Sequence, residues 1–462
     1  MPEAVVIQPM ADMPAADDAR RLRVFDRAVL VTILSRVLGI ITAPVSLLFT
    51  IQYLSEAERG YHFTFFSLLG FSALFDGGVS FSAQQFISRE AAHLRVSPAN
   101  RLEGPAEGVA RLSALFRQTC RWYSRAGVAF GVLMLAAGSG FFWATAKDDV
   151  AWQIPWVLCV ATAAVSLVTS PLTSLITGIG RVESIAASNA ARTFAAAVAL
   201  CGLLACGAGL YAGPLSGLVG FIVWLITMLA RWLPLLRQTA QCGPATAPVN
   251  WGAQVWPMQW RMAVSMACGF FIFRAITPAV FSTCGAVEAG RFGLTQMAID
   301  FAAQVSSSWL AVRTPLMAKL HSLRSTASLD RLFRSTFWIS VAGYCGCIAI
   351  GMGVLWALKP FHPRLVDAFL GPLPFALLAA WTFSNQLLQL FATYCRTAGN
   401  EPFMVISIAS AAATLLGTLG FGSLGGISGI TLWLAVHNAI IFVPWGLYIY
   451  KHVRATAAHG QA

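Results

Sequence analysis

The chain has 462 residues, of which 57% are hydrophobic and only 11% charged, with a formal net charge of +12. A soluble domain carries about 25% charged residues, so composition excludes a soluble fold, and the number of apolar runs excludes a single anchor. A basic balance can signal nucleic acid, but here Lys and Arg sit in short loops between apolar runs, where they mark topology; no nucleic-acid partner is expected.

In chain order, residues 1–26 read as a polar cytoplasmic tail with an interfacial helix from Asp17 to Asp26. A spanning helix needs about 20 apolar residues. Twelve are predicted, at 28–52, 61–87, 119–145, 152–177, 185–210, 214–236, 257–281, 291–318, 335–358, 371–396, 403–424 and 427–450. The first run has no clear small-residue cleavage site and is expected to remain as a helix. The segment QTAQCGPATAPVNWGAQVW (238–256) is the most linker-like. It divides a first six-helix bundle, 27–237, from a second, 257–450, with a C-terminal tail at 451–462. Even-numbered connections and the tails hold Arg89, Arg95, Arg101, Arg111, Arg117, Arg181, Arg237, Lys319, Arg324, Arg331, Arg334, Arg396, Lys451 and Arg454. Odd-numbered connections hold only Arg59, Lys147, Arg291, Lys359 and Arg364. That asymmetry predicts both termini in the cytoplasm.

The ten cysteines form no metal-ligand pattern and read as small packing residues. There is no Walker A loop, no HExxH and no GxSxG, so neither an ATP-driven pump nor an enzyme is expected, and no cofactor.

The two halves look related. A shift of 230 places SRVLG (35–39) on SMACG (265–269) and EAERGY (56–61) on AVEAGR (286–291), matching Glu58 with Glu288 and Gly60 with Gly290. GPLSGLVG (213–220) resembles GGISGITL (425–432). Such repeats are common in transporters, whose substrate sites lie between the halves.

Several predicted helices carry polar residues three or four apart, hence on one face. Ser72, Asp76, Ser80 and Gln84 lie on the second; Gln296, Asp300, Gln304 and Ser308 on the eighth; Thr382, Asn385, Gln386, Gln389 and Thr393 on the tenth. One such stripe reads as interhelical hydrogen bonding; several, in both halves, point to a shared wet cavity. Arg36, Arg192, Arg274 and Arg313 also fall inside predicted helices. A charge at mid-bilayer costs about 2.5–3.5 kcal/mol on insertion scales, so these groups should face the interior. Arg suits bidentate phosphate binding, which makes an anionic substrate, a phosphate or pyrophosphate, the expected ligand. The competing reading has the same Arg residues as structural clamps on Asp76, Asp300 and helix C-termini. Asp76 and Asp300 admit three roles: neutralising Arg, carrying a coupling H⁺, or helping to bind Na⁺. The glycine pair after Asp76 would let the helix bend.

SRVLGIITAPVSLLFTIQYLSEAERGYHFTFFSLLGFSALFDGGVSFSAQQFISRE resembles the N-terminal signature of the Wzx-type polysaccharide flippases of the multidrug/oligosaccharidyl-lipid/polysaccharide exporter superfamily. Arg36, Glu58, Gly60, Tyr61, Asp76, Gly78 and Arg89 fit it. TGIGRVESIAASNAARTF (177–194) and RTAGNEPFMVISIAS (396–410) resemble corresponding turns of the two halves. The resemblance implies an all-α polytopic protein with two pseudo-symmetric six-helix bundles around a central cavity. It implies alternating access, with an undecaprenyl-pyrophosphate-linked oligosaccharide crossing the bacterial inner membrane for surface polysaccharide such as O-antigen. A cation-gradient antiport is suspected for relatives. Expected partners are the lipid-linked oligosaccharide, membrane lipids and other polysaccharide-assembly proteins. A drug or small-molecule antiporter of the same fold is the alternative. The lipid II flippases of the superfamily usually have two further helices, and its drug exporters a more acidic cavity than this Arg-rich interior.

Overall fold

The computed structural model describes residues 39, 42–92, 94–243, 252, 256–322, 325–397 and 402–459. The expected interfacial helix at 17–26, and Arg36, lie outside them. The protein is an all-α multi-pass membrane protein.

Helix α1 covers 42–53. Helix α2 runs in three pieces, Glu56–Leu69, Ser72–Asp76 and Val79–Ala91. The Ser55 hydroxyl accepts from the Glu58 N–H, and the Glu58 carboxylate accepts from the Ser55 N–H at 2.9 Å. This capping box satisfies two donors that the helix start leaves free, so Glu58, matched by the repeat, is a cap. Gly77 and Gly78 break α2 with φ of 53° and 72°, a left-handed region that side chains resist. The segments on either side of the pair meet at 45°. The glycine pair thus bends the helix as its sequence suggests.

The first half continues with α3 (Ala106–Thr145), α4 (Gln153–Gly178), α5 (Val182–Ala205) and α6 (Ala212–Gln241). In the second half α7 comprises Trp256–Phe273 and Ile276–Cys284, followed by α8 (Ala286–Ser322), α9 (Thr326–Leu358) and α10 (Pro372–Thr397). The long run Met404–Thr456 folds back at Gly426, whose φ of 57° and ψ of −148° are not helical. Its arms are α11 (404–425) and α12 (427–459). Trp433 Nε1 donates to Ala413 O at 3.0 Å, and the Trp433 ring stacks on Phe421, which closes this hairpin.

By length and composition eight runs among the described residues can cross a membrane, nine with the bent α2. That count takes Met404–Thr456 as one run although it holds two arms. Helix α8 is less apolar than these because its middle carries Gln296, Asp300 and Gln304. Several helices outrun their expected spans: α3 starts at Ala106, not 119, and α9 at Thr326, not 335. The 37 residues of α8, at about 1.5 Å each, make about 55 Å, against an apolar layer of about 30 Å. Hydropathy detects the lipid-facing stretch, whereas the helix continues into water on residues such as Arg111 and Arg117.

Helices α2 to α6 pack on one another, α7 to α12 do likewise, and α2 crosses to α7 and α8. Tyr61, Phe65, Phe142, Trp156 and Phe281 interlock at that seam through edge, stacked and tilted ring contacts. One end of the molecule carries Glu56, Glu58, Asp148, Asp149 and Glu288, and is called the acidic end; the opposite, basic end carries Arg89, Arg95, Arg111 and Arg117. At the basic end strands β1 (Arg95–Val96) and β2 (Leu102–Glu103) form a small antiparallel ladder. The Gln238 amide of α6 holds it by donating to and accepting from the Leu102 backbone at 2.8 and 2.7 Å. Arg117 donates to Thr239 O and Cys242 O, both at 2.8 Å, which satisfies carbonyls at the α6 C-terminus.

Candidate functional site

The two halves touch most intimately at the acidic end, on the glycines that the repeat matched. A β-carbon placed on Gly290 would lie 2.9 Å from Gly60 N, and one on Gly60 would collide with the Ala286 backbone. Phe63 fills the space beside Gly293 in the same way. Arg291 of α8 donates to Glu288 at 3.0 Å and reaches Glu56 of α2 at 3.6 Å, which adds an exposed ion-pair link across the seam.

Deeper in, the expected charges separate into distinct settings. Asp76 ends the middle piece of α2 and accepts two hydrogen bonds, one from Ser80 at 2.9 Å and a short one from Tyr123 of α3. No cation is ion-paired with it among the described residues, and Arg36 lies outside them. Ser80, half-buried, bridges the glycine break to Asp76. Ser72, on the same helix, is half-buried.

Asp300 on α8 accepts from Gln296, one turn earlier, at 2.6 Å. The other amide atom, Gln296 Oε1, is buried without a protein partner. Arg274 lies at the break between the two pieces of α7, where its own N–H and that of Ala275 both return to Phe270 O. Its side chain is exposed, inside the candidate span Gln259–Cys284, and passes Gly70 of α2: Cγ lies 3.1 Å from where a β-carbon on Gly70 would be. Arg274 and Asp300 act on each other electrostatically without forming an ion pair. The structure therefore brings Arg274, Asp300 and Gln296 together between α2, α7 and α8.

The remaining residues are elsewhere. Arg313 turns towards α9 and donates to Ser335 and Thr336, each at 3.2 Å, which links α8 to α9. Arg192 on α5 packs along Gly220 of α6, with no ion pair among the described residues. Gln304 is exposed. The Asn385 amide donates back to Trp381 O at 3.0 Å, a local bond within its own helix. Gln386 spans three helices: its amide donates to Ser306 at 2.6 Å, and Ser306 in turn donates to Ser340 O.

Two cavities accompany these residues. One, of about 480 Å³, runs towards the basic end between α8 and α10, lined by Ser307, Thr314, Gln389, Thr393, Arg396 and Thr397 among others. Its wall is rich in hydroxyls and amides. The other, of about 360 Å³, is almost wholly apolar and lies between α2, α3, α7 and α11.

Sequence reasoning missed Tyr123, the main donor to Asp76, and Asn438, whose amide nitrogen and oxygen are both buried without a protein partner in a π-helical turn, Asn438–Phe442. No signal in one sequence pairs Tyr123 with a residue 47 positions away. The adjacent His437–Asn438 pair does stand out in an apolar helix.

Fold and site together define a polytopic helical membrane protein. No protein-family model and no curated protein matches the chain. Solved structures do. An inward-facing multidrug resistance MATE family transporter of the MOP superfamily gives a TM-score of 0.64 at 13% identity, over 92% of this chain and 99% of that one. An outward-facing MATE structure gives 0.56 at 13% identity, over 93% and 96%. The lipid II flippase MurJ in an inward closed conformation gives 0.61 at 11% identity, over 93% and 90%. At such identities the likeness is one of fold: the chain folds as MATE transporters and MurJ do.

Proposed function

We propose that the chain is a flippase for an undecaprenyl-pyrophosphate-linked oligosaccharide, serving surface polysaccharide assembly in the bacterial inner membrane. Arg274 carries this reading: a guanidinium exposed in the middle of the membrane layer, with no carboxylate in ion-pair range among the described residues. An unneutralised cation there is costly, and an anionic headgroup in transit would compensate it. The hydroxyl- and amide-lined cavity between α8 and α10 suits a sugar chain. The basic end faces the cytoplasm, with both termini there, and 27–237 and 257–450 rock as two bundles about the Gly60–Gly290 contact. Asp76 and Asp300 are the candidates for ion coupling with H⁺ or Na⁺, and Arg36 and Arg192 for drawing the headgroup into the cytoplasmic opening.

The test is complementation of a flippase-deficient strain with Arg274→Ala and Asp300→Asn variants, with membrane levels checked by blot. Loss of surface polysaccharide at normal protein levels is expected for Arg274→Ala. Full complementation by it would remove the anionic-substrate argument. A second reading, a cation-coupled drug or small-molecule antiporter, is favoured by the MATE-type fold and the two interior carboxylates. It predicts protection of cells against cationic compounds and no rescue of polysaccharide.

A further inference from the structure

The apolar cavity between the halves has a shape and position that the proposed transport cycle does not yet use. Its walls include Phe71 of α2, Leu133 and Phe141 of α3, Phe270 and Ser282 of α7, and Leu419 of α11. Ser282 is the one polar side chain on them, and its hydroxyl is spent on Ala279 O at 3.0 Å. Nothing in this groove asks for a polar ligand. Its rim is open: Leu133 and Leu419, from opposite halves, are 42% and 43% exposed. Helix α3 widens beside it into a π-helical turn, Met134–Gly138, three of whose residues line the wall. Such turns concentrate at functional sites.

Depth and direction decide what fits. Along α7 the groove extends from Phe270, near the helix break, to Ser282, two residues before the acidic-end terminus. Twelve residues at about 1.5 Å each give about 18 Å, roughly half of the apolar layer of about 30 Å. At its deep end the lining residues Phe270 and Ala275 flank Arg274, the exposed mid-membrane cation. An apolar trough therefore begins at the helix break that carries Arg274, an exposed cation inside the candidate span Gln259–Cys284, and leads to the acidic end.

We propose that this groove holds the isoprenoid chain of the translocated lipid, with its phosphate at Arg274 and the chain directed towards the outer leaflet. The inference rests on the flippase reading and adds the route by which the lipid leaves, through the seam between α3 and α11. A resident phospholipid does not suit the pair of features, because its headgroup stays at the membrane face, about 15 Å from the midplane. Only a lipid in transit brings an anionic group to the depth of Arg274. The groove wall offers the chain close apolar contact, and the guanidinium holds phosphate through charge-assisted hydrogen bonds.

The experiment is native mass spectrometry of the full-length protein in detergent, titrated with undecaprenyl phosphate in competition with dioleoyl phosphatidylglycerol. Ala137 lines the groove and is exposed, so Ala137→Phe fills the trough without displacing a packed neighbour. The expected result is preferential binding of undecaprenyl phosphate by the wild type. Ala137→Phe and Arg274→Ala should each weaken it by about tenfold, and Arg274→Lys by less. Wild-type affinity in Ala137→Phe overturns the proposal. So does equal competition by phosphatidylglycerol that Ala137→Phe abolishes, which would make the groove a bulk-lipid site. Polysaccharide complementation is scored in parallel. A wild type that complements while Ala137→Phe binds normally sinks the groove alone; a wild type that neither complements nor binds undecaprenyl phosphate sinks the flippase reading with it.

Discussion

Asp76 is tolerated in an apolar helix because two hydroxyls meet its oxygens, from Ser80 one turn on and from Tyr123 on α3. A hydrogen bond to a charged group contributes about 1.5–3 kcal/mol, so Tyr123→Phe should lower the thermal midpoint of the purified protein. Asp76→Asn keeps an oxygen for Tyr123 and should melt near the wild type, yet fail to restore polysaccharide if the carboxylate charge is used in the cycle. Recovery of both properties would reduce Asp76 to a cap on the helix break. The sequence singles out Asp76 because a carboxylate among Phe, Leu and Val needs an explanation; its partner is hidden because a Tyr in a membrane helix looks like any other aromatic. Asn438 poses the opposite case. It is 0% exposed, with neither amide atom bonded to protein, and Thr414 Oγ1 and His437 Nε2 are also buried without partners. An unmatched buried polar group costs about 1–3 kcal/mol, so Asn438→Leu should hold or raise the thermal midpoint. A fall would mean that the amide holds a bound water, as buried polar sites commonly do.

At the scale of elements, the break in α2 depends on two glycines that differ in their surroundings. Both have positive φ, but a β-carbon on Gly77 meets only Leu74 O at 3.6 Å, whereas one on Gly78 strikes Met262 and comes within 3.2 Å of Gln259 O on α7. Gly77→Ala should therefore cost about 1 kcal/mol of backbone strain, and Gly78→Ala distinctly more, because α7 must also move. Equal midpoints for the two would mean that α7 yields freely at this point. The break itself was legible from the glycine pair beside Asp76. The lengths of α3, α8 and α9 were not, since the hydropathy that locates a span falls away where a helix enters water, although its hydrogen bonding continues. The same limit hid the small ladder of Arg95–Val96 on Leu102–Glu103, two residues a side and held by the Gln238 side chain from 136 positions away. The polar stripes were legible as stripes but not by destination: Gln389 faces a cavity, while Gln386, three residues earlier, ties α10 to α8.

At the scale of the whole molecule, Gly60 and Gly290, which a shift of 230 aligns in the sequence, pack against each other at the acidic end. Two features hold that end shut. The Arg291 bridges to Glu56 and Glu288 are partly exposed, with side chains 34%, 55% and 29% accessible, and exposed pairs contribute about 0–1 kcal/mol. The glycine contact permits the close approach itself and cannot be replaced by any residue with a side chain without separating α2 from α8. Steric closure should therefore outweigh the ion pairs. Glu56→Gln should leave complementation and thermal midpoint close to the wild type. Gly60→Val should prise the end open, and hydrogen–deuterium exchange should then accelerate at 56–66 and 286–293 while the basic end is unchanged. Gly140→Ala is the control, because nothing lies within 4 Å of a β-carbon there. Rocking between two discrete states further requires that Gly60→Val lose polysaccharide transport by favouring the opened state. Normal exchange and normal transport in Gly60→Val would mean that α2 and α8 slide past the added methyl groups, and that the seal lies elsewhere along the aromatic seam of Tyr61, Phe142 and Phe281.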